Sequence, residues 1–145
     1  MELTNPQETE AKVAARYQVF LILWIAILIS VGIFFGLATF VPVPSRPNPN
    51  LSYVLLGIGV AFVAVSILIK SVQSKQAIES RSVSRLQSAH ILGLALCETA
   101  ALFGLLDHFV TGSVISRFGF AVAALGMLWH FPRKNQVRSA SYKGF

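Results

Sequence analysis

Charge is what this sequence has least of. Charged residues make up 12% of the 145 positions, while 54% are hydrophobic. Soluble domains average about 25% charged residues, so this composition excludes an ordinary soluble fold and indicates an integral membrane protein. Cysteine occurs once, at Cys97, which excludes an internal disulfide, a Cys-rich metal site and Cys-x-x-Cys-His haem attachment. The sequence carries no Walker loop, no HExxH and no GxSxG, and no nucleophile, base and orienting group fall together. The expectation is therefore a protein that is not an enzyme. Transporter features are also missing, because the apolar segments show neither broken helices nor a clear inverted repeat.

The net charge of +6 does not point to nucleic acid. The basic residues sit in short segments beside apolar runs, with no aromatic-basic binding motif. That arrangement fits membrane topology and anionic lipid at the cytoplasmic face.

Four apolar runs are present, at 19–41, 53–69, 89–110 and 114–131. Each approaches the ~20 residues that span a bilayer core. Inside lipid the backbone must bond to itself, so all four read as helices. The expected fold is a single all-α membrane domain, an antiparallel up-down bundle of four transmembrane helices. Residues 1–18 would form an N-terminal interfacial segment and 132–145 a basic tail. "NPQE" offers Asn5 as N-cap, Pro6 at the first helical position and Glu8 two further on. With three glutamates before the first run, the N-terminus does not read as a secretory signal.

The connectors agree with four helices. "PVPSRPNPN" holds four prolines and ends the first run. Gly112 and Ser113 suit a tight reversal between the third and fourth. "KSVQSKQAIESRSVSRLQS" has no proline or glycine and reads as helical extensions around a short turn. Ten of the twelve basic residues fall in the N-terminal segment, this second connector and the C-terminal tail. Arg46 and Arg117 are the two on the other side. By the positive-inside rule both termini face the cytoplasm, and a bacterial inner membrane is the expected location.

Small residues mark where helices can approach closely. Gly32 and Gly36 form a GxxxG pair in the first run. Gly93, Cys97, Ala100 and Gly104 form a stripe in the third, and Ser116, Gly119, Ala123 and Gly126 form one in the fourth. The third and fourth helices are expected to pack along these stripes.

The polar residues within the runs are the candidate sites. Glu98 lies near the middle of the third run, where a charged carboxylate costs a few kcal/mol. It reads either as a hydrogen-bonding group inside the bundle or as a proton-binding site. Asp107, His108 and Arg117 form an expected polar cluster at the outer end, with Asp107 and Arg117 paired. His90 and His130 fall at the cytoplasmic interface and His108 at the other. Each is a possible haem or chlorophyll ligand, against the simpler reading of an interfacial histidine with its tip in water.

"LGLALCETAALFGLL", Leu92 to Leu106, resembles the carboxylate-bearing second helix of the proteolipid (c-type) subunit of rotary ATP synthases. The resemblance puts Glu98 at that family's ion-binding position, with Ala95 before it and Gly104 after it. "QAIESRSVSRLQ" then occupies the place of the family's polar cytoplasmic loop. The second and third runs would be its hairpin. The resemblance implies a homo-oligomeric ring in which Glu98 is alternately protonated and deprotonated. Departures are plain. The second run has only Gly57 and Gly59 where the family has a glycine repeat. The Arg-Gln-Pro-type loop signature is absent, and two further runs flank the hairpin.

Two functions follow. One is a non-catalytic accessory subunit of a larger energy-converting complex, photosynthetic or respiratory. It would dock on other membrane subunits, with chlorophyll, carotenoid, quinone or lipid against the "GIFFG" face or near the histidines. The alternative is a c-type ion-translocating proteolipid. A small channel is a weaker third reading.

Overall fold

A computed structural model describes residues 6–43, 48–80 and 82–141. Every regular element among them is α-helix: α1 (Pro6–Phe40), α2 (Pro49–Glu79), α3 (Val83–Thr111), α4 (Ser116–Trp129) and α5 (Lys134–Ser141). Asn5, Arg46, Arg81 and Lys143, invoked above for capping and charge counting, lie outside the described residues.

Three helices are long and apolar enough to cross a membrane, within Glu10–Phe40, Pro49–Ala77 and Ser84–Thr111. The chain thus has the make-up of a multi-pass membrane protein. α1 has 35 residues, about 52 Å at 1.5 Å per residue, well beyond a ~30 Å hydrocarbon core. The interfacial segment and the first span are therefore one continuous helix. Nothing between Pro6 and Phe40 breaks it, since no proline follows Pro6 in that stretch.

The fourth run, expected to be helical over 114–131, forms a shorter α-helix of 14 residues. Pro132 stops it at one end and the Gly112 turn at the other. Its entry is wound more tightly, with Ser116, Arg117 and Phe118 N–H bonding to the carbonyls three residues back. That winding satisfies backbone groups that would otherwise be orphaned. Residues 132–145, read as a tail, contain helix α5.

Local signals explain the other boundaries. α2 starts with Pro49 at its first position, and the Asn48 side-chain oxygen accepts from Leu51 N–H at 3.2 Å. Ser82 caps α3, its side chain accepting from Arg85 N–H. α3 ends on Gly112 at φ 61°, whose N–H bonds to His108 O. That left-handed geometry is easy only for glycine.

α3 is the centre of the bundle and touches every other helix. α4 touches α1, α2 and α3. α1 and α2 lie on opposite flanks and do not meet among the described residues. The main core contains Val31, Val63, Leu94, Cys97, Ala100, Ala101, Phe120, Ala123 and Met127. A separate small core of Val13, Phe20, Ala77, Leu86 and Val137 joins α1, α2, α3 and α5 at the terminal end. Arg138 pairs with Glu10 there at 2.7 Å. Large apolar side chains stand outward all round, among them Ile22, Ile29, Leu68, Leu106, Phe118 and Leu125. A soluble surface does not carry such a continuous apolar girdle.

Helix packing in lipid is driven by close fit and not by hydrophobic burial. Gly104 and Gly119 set the α3–α4 crossing: a Cβ on Gly119 would stand 2.9 Å from Gly104 Cα. A Cβ on Gly126 would meet Cys97 Sγ and Val63 Cγ1, both at 2.8 Å. The expected stripes on these two helices do face each other. Gly32 and Gly36 behave differently. A Cβ at either would meet nothing within 4 Å, so among the described residues this pair packs against no other helix.

Candidate functional site

The polar groups of the membrane segments fall in four places, and α3 supplies a residue to each.

At mid-span, α3 presents Glu98 to α1. Ser30 Oγ donates to Glu98 Oε1 at 2.5 Å. The pair is partly buried, and among the described residues no Lys, Arg or His pairs with the carboxyl. The pair sits where α1 packs on α3.

The preceding residue, Cys97, is turned towards the core and fully buried. Its Sγ is 3.5 Å from Ser66 Oγ of α2 and 3.9 Å from His130 Nδ1. His130 Nδ1 also donates to the Gly126 carbonyl at 2.8 Å, and its Nε2 lies 3.4 Å from the Ser66 carbonyl. The ring rests against α3 where Gly93 leaves room; a Cβ there would collide with it. His130 therefore has no tip in water, contrary to the interfacial reading. The ring turns inward because position 130 continues the buried stripe of 119, 123, 126 and 127.

At the end holding the α1–α2 loop, Asp107 is 2% exposed. Its Oδ1 accepts from Ser52 Oγ at 2.7 Å and from Thr111 Oγ1 at 2.8 Å. The two hydroxyls are 3.2 Å apart, closing a small triangle between α2 and α3. The expected Asp107–Arg117 pair is not formed. Ser116, Gly119 and Phe120 make α4's inner face, and Arg117, off that face, is exposed. His108 also points elsewhere, its Nε2 donating to the Val41 carbonyl at 3.1 Å. This ties the end of α1 to α3. The three residues expected as one cluster thus part company: Asp107 meets Ser52 and Thr111, His108 meets Val41, and Arg117 lies on the surface. Ser52 and Thr111, the true partners, were missed. Thr111 had a signal: it is four residues after Asp107, on the same helix face.

At the opposite, terminal end, His90 is 6% exposed and stacks edge-on against Phe20, with ring centroids 5.1 Å apart. Its Nε2 is buried and has no hydrogen-bond partner among the described residues. Lys70 Nζ donates to the Trp129 carbonyl at 2.8 Å, closing the last turn of α4 with a cation where the helix dipole favours one. Trp24 Nε1 donates to the Met127 carbonyl at 2.8 Å, attaching α1 to the same end of α4.

Among the described residues, no three His, Cys, Asp or Glu side chains come close enough to hold a metal ion. No family model, curated protein or solved structure matches the chain.

Proposed function

We propose that this chain is a non-catalytic accessory subunit of a larger energy-converting complex, with four membrane crossings and both termini in the cytoplasm of a bacterial cell. The observation that carries the reading is Glu98. A carboxyl near mid-depth has one hydroxyl partner and sits on a partly open seam between α1 and α3. A group of that cost is retained in a membrane where a neighbour completes its surroundings. α1 supplies the matching surface. It is the least buried of the three long helices, and Gly32 and Gly36 lie open on it. A helix of another subunit packs closely on such a face.

The c-type ring is the alternative, and the packing supports it less. A ring needs the small-residue faces of its hairpin free for identical neighbours. Here Gly104 of α3 is occupied by Gly119 of α4, and Gly59 of α2 by Ala100 of α3.

The test is purification from native membranes in a gentle detergent, with mass spectrometry of co-migrating proteins and an absorption spectrum. Different membrane subunits in one assembly are the expected result. A colourless ring of identical copies, with Glu98 modified by a hydrophobic carbodiimide, would replace this reading by the proteolipid.

A further inference from the structure

The terminal end of the bundle carries a groove of one charge sign. It has a volume of about 290 Å³ and runs between α2, the end of α4 and the start of α5. Lys70, Lys75 and Arg133 line it, and no carboxylate does. Its depth is set by sequence: α2 is apolar up to Ile69 and turns polar at Lys70, and α4 ends on exposed Trp129. Trp and Lys at the ends of spans mark the level of the lipid headgroups. Ile67, one turn deeper on the same wall and partly buried against the main core, makes the groove's inner end apolar.

Beside the groove lies a small, partly open cavity of about 10 Å³, room for about one water. It shares Lys70, Ser74, Arg133 and Gln136 with the groove, and His90 lines its inner wall. His90 Nε2 is the buried atom without a partner among the described residues. Cations converge on an interfacial cleft, an apolar wall continues into the membrane, and an unsatisfied polar atom stands behind.

We infer that this groove is a seat for the phosphate headgroup of an anionic phospholipid, with an acyl chain descending past Ile67 and a water bridging inward to His90. Lys75 and Arg133, both exposed, supply charge to the phosphodiester. Lys70 has one N–H committed to Trp129 and two left for the ligand. Basic pockets between helices at the cytoplasmic face recognise lipid in this way. The inference rests on the multi-pass reading but not on the partner subunits, so it stands or falls apart from the assembly test above.

The experiment is native mass spectrometry of the full chain in detergent, titrated with phosphatidylglycerol or with phosphatidylcholine. Wild type is expected to retain phosphatidylglycerol in preference. The double variant Lys75→Gln/Arg133→Gln is expected to bind it about tenfold more weakly or worse, and each single variant to lose part of that. The control Arg85→Gln/Lys134→Gln removes the same charge from residues that do not line the groove and is expected to bind as wild type. Circular dichroism confirms that the variants keep their helices, which none of these exposed positions holds. Equal loss in groove and control variants would overturn the site in favour of diffuse surface charge. Unchanged binding in the groove variant would overturn it outright. Displacement of the lipid by millimolar inorganic phosphate would replace it with a small-anion site. Release of the protein from membranes by alkaline carbonate would instead defeat the multi-pass reading itself.

Discussion

The two sides of α3 are built on different principles. Towards α2 and α4 the packing is tight, with backbone against backbone at Gly104 and Gly119 and the Cys97 and Val63 side chains seated on Gly126, and the one carboxyl, Asp107, is buried with two hydroxyl partners. Towards α1 the approach is looser. The carboxyl there, Glu98, has Ser30 alone, and the glycines of α1 face outward with nothing against them. On the first side Asp107, Cys97 and His130 all find polar partners on α2, α3 or α4. On the function proposed above, a neighbouring subunit completes the second. A carboxylate's role in a membrane thus depends less on its depth than on how completely the same chain surrounds it.

Breaking the tight side should show the largest effect. Gly119→Val drives a branched side chain into the α3 backbone at Gly104, and overpacking of this kind costs about 3 kcal/mol. Unfolding by SDS titration in mixed micelles should show that loss. A variant as stable as wild type would mean that α3 and α4 do not cross at this contact.

Asp107→Ala comes next. It strips the acceptor from the Ser52 and Thr111 hydroxyls, which can then bond only to each other and to the backbone. The expected cost is about 1–2 kcal/mol, given the modest net value of hydrogen bonds in membranes. Asp107→Asn keeps an acceptor oxygen and should lose less than about half of that. Thermal midpoints of the two variants side by side would show the ordering.

On the loose side the same kind of change should matter less. Ser30→Ala removes one partly buried bond, for about 0.6 kcal/mol, and Glu98→Gln should stay within about 0.5 kcal/mol because the amide oxygen still accepts from Ser30. A cost for Glu98→Gln matching that of Asp107→Ala would erase the contrast between the two carboxyls.

The smallest effect on the isolated chain belongs to Gly32→Val and Gly36→Val. With open space at both positions, stability should change by about 0.5 kcal/mol or less. Retention of co-purifying subunits, however, should fall. Stability lost without any change in those subunits would place these glycines in the chain's own packing.

The sequence alone determined the class of the protein. Scarce charge, apolar runs and proline-rich or glycine-containing connectors require helices in a membrane, because lipid offers the backbone no other partner. It also determined which stripes on α3 and α4 would meet, since small residues at helical spacing are the means of close approach. Gly112 as the turn between them follows from its freedom at positive φ. Tertiary structure decided what the polar residues do. Asp107 looked as though it belonged to Arg117 across the short turn, but the rotation of α4 turned Arg117 outward and α2 supplied Ser52 from 55 positions away. His130 looked like an interfacial residue, but Gly93 on another helix opened the space that draws its ring inside. Helix rotation and partner depth are set by the fit of whole surfaces, to which each residue contributes little. A linear pattern records which side chains share a face, whereas the choice of what that face meets belongs to the assembled bundle.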